Sequence, residues 1–159
     1  MSEAQRAEHH PPYSHAIRSS VDIDSAPDRV FELWLRLERL PQVLESIQRV
    51  QRVSERRTLW DADVYGRQFV WEAEVTLDEP TRRLSWKSRA GAPNQGNVQA
   101  LDLPGGATRL EVEIHCQPRG LLEKLGARLG LLRRLVDREL ERFRVHAEGK
   151  ASDRIEAAA

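Results

Sequence analysis

The side chains in this sequence that could carry chemistry are few and scattered. It holds five histidines. His9 and His10 adjoin in a polar N-terminal run, His15 begins a strand pattern, His115 falls in a strand's polar phase, and His146 lies near the end of a helical pattern. Zinc sites draw on ligands at short, characteristic spacings, and no pair of these has one. Cys116 is the single cysteine, which excludes an intramolecular disulfide. It sits in a strand's apolar phase and reads as a small core residue. As a nucleophile it would need a histidine base, and its neighbour His115 projects to the opposite strand face. Acid–base work on a buried substrate needs carboxylates inside a cavity, yet Asp61, Glu72, Glu74, Glu111 and Glu113 all fall on outward phases. A catalytic version would have to recruit a loop residue, with Tyr65, Asp63 and Asn94 the candidates. The sequence therefore names no catalytic residue, no metal site and no cofactor.

Composition narrows the partners. Among 159 residues, 25 basic and 25 acidic side chains cancel, and 40% of residues are hydrophobic. Such a chain has a globular balance but lacks the global positive field that drives non-specific binding to nucleic acid or anionic membranes. No apolar run approaches the roughly 18 residues of a membrane span, and Met1 to Pro12 has no apolar signal core. A cytoplasmic protein is the expectation. Residues 1–14 and 149–159 are polar and aperiodic and read as flexible arms around one domain over 15–148.

The elements that would position any site are legible from periodicity. Ile17 to Asp24 alternates as a strand, and Ser25-Ala26-Pro27-Asp28 ends it and opens a helix, with Ser25 the expected cap. Val30, Phe31, Trp34 and Leu37 recur at helical spacing until Pro41, after which a second short helix can begin. Ile47 to Ser54 suggests the next strand. Leu59 to Val64 and Gln68 to Leu77 then flank a tight turn at Tyr65-Gly66-Arg67. With Gly66-Arg67 as the loop, Val64 faces Phe69, Ala62 faces Trp71 and Trp60 faces Ala73, all on one side of the sheet. That register sets Asp61 beside Glu72 on the other side. Pairing Leu77 with Leu84 adds Val75 beside Trp86, Glu74 beside Lys87 and Glu72 beside Arg89, which balances the charges. Ala90 to Asn94 reads as a loop, and Val98 to Leu103 with Thr108 to Gln117 as a hairpin. From Leu121 to Ala147 a long helix carries Leu122, Leu125, Leu129, Leu132, Val136, Leu140 and Phe143 in one stripe.

An antiparallel sheet with one apolar face needs that stripe against it, and a straight helix fills only part of a curved sheet. All four tryptophans, Trp34, Trp60, Trp71 and Trp86, fall in apolar phases and are interleaved with Ala73, Ser88, Gly96, Ala100, Gly126 and Gly130. Large groups beside small ones can define a hollow. The expected ligand-binding residues are Trp34, Trp60, Phe69, Trp71, Trp86 and Val98 from sheet and short helix, with Leu125, Leu129, Leu132 and Val136 from the long helix. Arg128, Arg133, Arg134, Arg138, Arg142 and Arg144, offset by Glu139 and Glu141, read as a solvated helix face with local ion pairs.

Several segments, in order, resemble a known family. Val30-Phe31-Glu32-Leu33-Trp34 and Glu38-Arg39-Leu40-Pro41 are similar to the N-terminal helices of bacterial START-like (SRPBCC) proteins of the polyketide cyclase/dehydrase family. Trp60, Trp71 to Val75, Asp78-Glu79-Pro80, Leu84-Ser85-Trp86 and Pro104 to Arg109 continue the likeness, which spans roughly Ile17 to Glu148. The resemblance implies an α+β helix-grip fold, a curved antiparallel sheet of about seven strands around a C-terminal helix. It also implies a cavity beneath that helix for lipids, isoprenoids, quinones or polyketides. It leaves the activity open, because such relatives include cyclases, lipid carriers, quinone-binding proteins and a ribosome-association toxin. The expected function is non-catalytic binding or transport of a small hydrophobic molecule, with transient membrane contact near the mouth if the cargo is a lipid. The alternatives are an aromatase/cyclase-like enzyme and a protein-interaction module built on the arginine-rich helix.

Overall fold

A computed structural model describes residues 15–116 and 129–158. The chain runs β1 (His15–Ile23), α1 (Pro27–Leu35), a 3-10 helix (Leu37–Gln42), β2 (Ile47–Arg52), β3 (Arg57–Val64), β4 (Arg67–Asp78), β5 (Arg83–Gly91), β6 (Asn94–Asp102), β7 (Thr108–Cys116) and α2 (Leu129–Ala158). The strands form one antiparallel sheet in the order β1-β7-β6-β5-β4-β3-β2. The two short helices thus cross from one sheet edge to the other, the only connection between described strands that is not a hairpin. Together with α2 they cover the apolar face. This is the helix-grip arrangement.

Local chemistry explains the boundaries and corrects several expectations. The β3–β4 turn is Tyr65-Gly66, not Gly66-Arg67: φ is 52° at Tyr65 and 81° at Gly66, the two left-handed residues that a tight hairpin with native strand twist requires. The pairing is therefore Trp60 with Trp71, Ala62 with Phe69 and Thr58 with Ala73. Each partner lies two residues from the expected one, which leaves every side chain on its expected face. The Asp61–Glu72 pair dissolves. Gln68 donates to Asp61 at 2.9 and 3.1 Å, and Arg57 lies 3.3 Å from Glu72.

Between β4 and β5, Leu77–Leu84, Val75–Trp86 and Glu74–Lys87 pair as expected, but a bulge between Glu72 and Ala73 shifts Glu72 onto Ala90. Arg89 then bonds Glu74 at 2.9 Å instead of Glu72. The strand continues to Gly91 and β6 begins at Asn94, so the expected loop is a short hairpin connection. Val98 pairs with Val112 and Ala100 with Leu110. Ala26, rather than Ser25, occupies the α1 cap position without a side-chain bond; Ser25 Oγ instead accepts from Arg29 at 3.0 Å. The second short helix ends at Gln42 with Pro41 inside it. Leu121, Leu122, Leu125 and Gly126 lie outside the described residues. The helix α2 runs past Gly149, into the expected polar tail, because alanine, lysine, arginine and glutamate all favour helix.

The interior divides into two apolar clusters. One joins Phe143, Leu140 and Ala147 of α2 to Ile23, Leu110, Val98 and the short helices. The other joins Leu132 to Ile17, Ala62, Val64, Phe69 and Cys116. Ile47, Ile114 and Val136 pack against both.

Candidate ligand-binding cavity

The junction between these clusters is not filled. A hollow of about 170 Å³ lies there, walled by Ile47, Trp60, Trp71, Val75, Leu84, Trp86, Val112 and Ile114 of the sheet, by Trp34, Leu40, Leu44 and Ser46 of the edge-crossing connection, and by Leu135, Val136, Glu139 and Leu140 of α2. All four tryptophans reach it. Each is fixed differently: the rings of Trp60 and Trp71 lie parallel with centroids 5.9 Å apart, and Trp34 meets Phe143 edge-on at 5.0 Å. The Trp86 indole N–H donates to Asn94 Oδ1 at 2.9 Å, and that of Trp60 to Thr58 Oγ1 at 2.7 Å. Gly96 pairs with Trp86 across the strands, and an added Cβ there would fall 2.7 Å from the Trp86 ring. The missing side chain is what gives that indole its place.

Of the residues expected to contact a ligand, Trp34, Trp60, Trp71, Trp86 and Val136 come together on the hollow. Phe69 and Leu132 pack into the second cluster and Val98 into the first, while Leu129 adjoins the second cluster. Leu125 lies outside the described residues. Asn94 is buried and bonded on both sides of its amide, to Trp86 and to the Ala92 carbonyl at 2.9 Å, so it holds the wall. Tyr65 and Asp63 belong to an adjoining polar groove of about 460 Å³ with Glu45, Gln48, Arg138 and Arg142. Ser46, Leu135 and Glu139 line both spaces and form the partition between them.

Glu139 departs from the sequence reading, which puts it in solvent: it is 8% exposed. Its carboxylate accepts from Ser46 Oγ at 2.6 Å, from Ser46 N at 3.1 Å and from Glu45 N at 3.2 Å. Arg142 Nε stands 3.6 Å away. Those donors offset the cost of burying the charge. The available signal is its spacing: Glu139 follows Val136 by three and precedes Phe143 by four, which puts it on the apolar stripe.

On the outer face Arg18, Arg83, Asn97, Gln99, Glu111 and Glu113 line a polar groove of about 390 Å³. Glu113, held below the usual carboxylate range first by its hydrogen bond with His115 and then by Arg18, lies 2.6 Å from that ring. Three arginines of α2 are engaged within the fold. Arg138 lies over the Tyr65 ring and donates to its hydroxyl at 3.3 Å, Arg142 pairs with Glu45, and Arg144 pairs with Glu141. Burial pushes the Cys116 thiol up to about 11, which keeps it an unreactive core group. No described helix is long and apolar enough to cross a membrane.

Comparison with known proteins places this architecture. The family described as polyketide cyclase / dehydrase and lipid transport matches residues 23–144. An uncharacterized 17.2 kDa protein of Streptomyces lincolnensis is 24% identical over 138 residues, covering 86% of this chain and 92% of that one. A crystal structure from Thermus thermophilus superposes with a TM-score of 0.74 at 23% identity, covering 86% of this chain and 99% of the other. The Zhui aromatase/cyclase of Streptomyces sp. R1128 gives 0.71 at 16% identity, with 86% and 95% covered. A START superfamily protein from Mycobacterium smegmatis gives 0.64 at 14% identity, with 80% and 98% covered. At these identities the structural likeness speaks for the fold.

Proposed function

The chain belongs to the polyketide cyclase/dehydrase and lipid transport family, and we propose from that premise that it binds a small hydrophobic molecule in the tryptophan-walled hollow without converting it. The observation that carries this reading is the unfilled apolar space at the junction of two otherwise packed clusters. Protein interiors normally close such gaps. A dry hollow on the order of 150 Å³ accepts a benzene ring, so about 170 Å³ suits one ring or a short branched chain. A larger guest would extend through the partition into the polar groove.

Binding is preferred over turnover on the composition of the wall. A cyclase or dehydrase needs at least an acid or base poised on the substrate, and Glu139 is the only ionisable side chain among the described lining residues. Its oxygens are engaged in holding Ser46 and Glu45 to α2, and among those residues no second acid or base faces it across the hollow. The interaction-module reading is weakened because Arg138, Arg142 and Arg144 have partners within the fold.

Two measurements test the proposal. Organic extracts of the purified protein, analysed by mass spectrometry, should contain a stoichiometric apolar compound. Titration of protein freed of that compound with propylbenzene should saturably change tryptophan emission, since every tryptophan lines the hollow. An empty extract together with a flat titration refutes it.

A further inference from the structure

The polar edge of the hollow has a chemical sense that restricts the guest. Ser46 has one hydroxyl proton, and it is donated to Glu139 Oε2 at 2.6 Å. The Ser46 backbone N–H goes to the same oxygen, and the Glu45 N–H to Oε1. What the partition can still offer is therefore acceptor capacity. Ser46 Oγ keeps its lone pairs, whereas Glu139, with about four acceptor sites, receives three hydrogen bonds and has Arg142 Nε 3.6 Å from Oε1, so its remaining capacity is partly taken. Glu139 is nine-tenths buried, with its side chain only 10% exposed. Other than this pair, the lining side chains are hydrocarbon or indole. The Trp71 indole N–H is buried without a hydrogen-bond partner among the described residues, so the wall adds one free donor to the partition's acceptors.

We infer that the hollow selects an uncharged molecule bearing a hydroxyl, a phenol or an aliphatic alcohol, whose apolar body lies among the tryptophans and whose O–H donates to Glu139 or Ser46 at the partition. The assignment rests on the reading of the hollow as a ligand site. An anionic end is disfavoured at this edge, because a carboxylate or phosphate cannot donate and would meet the Glu139 charge in a poorly hydrated place. A cationic end is disfavoured too, because Arg142 already stands 3.6 Å from Glu139 and pairs with Glu45. A hydrocarbon with no polar group would enter the hollow but leave the acceptor capacity on that side of the partition unused. Of the four classes, only a hydroxyl donates to the partition's acceptors and also keeps lone pairs for the unpartnered Trp71 N–H.

A matched trio with one apolar body tests this: propylbenzene, 4-propylphenol and 4-propylbenzoate, each titrated at neutral pH and followed by tryptophan emission. The phenol should bind roughly tenfold or more tightly than the hydrocarbon, the usual worth of a hydrogen bond to a charged acceptor, and the benzoate should bind weakest. In Glu139→Gln, circular dichroism first establishes folding. The phenol's advantage should then shrink several-fold and the benzoate's penalty relax, since the amide can donate. Should the variant fail to fold, the wild-type ranking alone decides. Equal binding of phenol and hydrocarbon, or preference for the benzoate, overturns this inference while leaving the hollow as a binding site. Absence of binding by all three overturns both.

Discussion

At the scale of single residues, the hollow is shaped as much by what is absent as by the tryptophans. Gly96 sits between Trp86 on β5 and Ile114 on β7. Its φ lies outside the left-handed region, so the demand for glycine is steric. A Cβ would lie 2.1 Å from the Glu113 carbonyl oxygen as well as against the Trp86 ring. A flexible side chain could retreat, but a backbone carbonyl in the middle of a sheet cannot. Gly96→Ala should therefore cost about 1–3 kcal/mol, the range for overpacking a well-packed interior, and should shift the Trp86 contribution to the emission spectrum. Urea denaturation of the two proteins checks the first, and a loss well below that range would show that the strand backbone at Glu113 yields as well as the Trp86 ring. Gly130, also singled out from its sequence position, has open space around its would-be Cβ and should accept alanine freely.

At the scale of elements, the β3–β4 hairpin shows which part of the fold could be read from the sequence. Alternation alone places Trp60, Ala62, Val64, Phe69, Trp71 and Ala73 on one face, and that placement survives because sliding by two residues preserves parity. The partner across the ladder was not legible. It depends on Tyr65 adopting φ 52°, a conformation that non-glycine residues rarely hold, and the support for it comes from a distant element. The Tyr65 hydroxyl donates to the Leu131 carbonyl of α2 at 2.7 Å and receives Arg138. The bulge that leaves Arg89 without a cross-strand partner in the ladder was equally hidden, since nothing local to Glu72 and Ala73 announces it. Tyr65→Phe keeps the ring beneath Arg138 and deletes both hydroxyl bonds. It should cost about 1 kcal/mol and raise amide exchange at the hairpin tip and the start of α2. Unchanged exchange there would mean that the clasp holds nothing.

At the scale of the whole molecule, the apolar half of the site was legible and the polar half was not, for one reason. Tryptophans in apolar phases have few places to go in one domain, whereas Glu139 on an arginine-rich helix reads as solvated until Glu45 and Ser46, more than ninety residues earlier, supply its donors. The hollow itself follows from how the sheet and α2 meet, which no local pattern encodes. An unfilled space of this size costs on the order of a few kilocalories per mole of stability that a packed interior would recover. Stability and binding should therefore be separable by one substitution. Val136 lines the hollow from α2, so Val136→Phe projects a ring into the space without disturbing the Glu139 partition. We expect the variant to melt at the wild-type temperature or above it, with a gain of about 0.5–2 kcal/mol typical of cavity filling, and to lose the propylbenzene response. The control is Val145→Phe on the exposed side of the same helix, where Val145 is 55% exposed; it should leave binding intact. A Val136→Phe protein that still bound the probe with unchanged affinity would place the guest elsewhere, and one that bound nothing and melted far lower would show that the space is occupied in the folded chain.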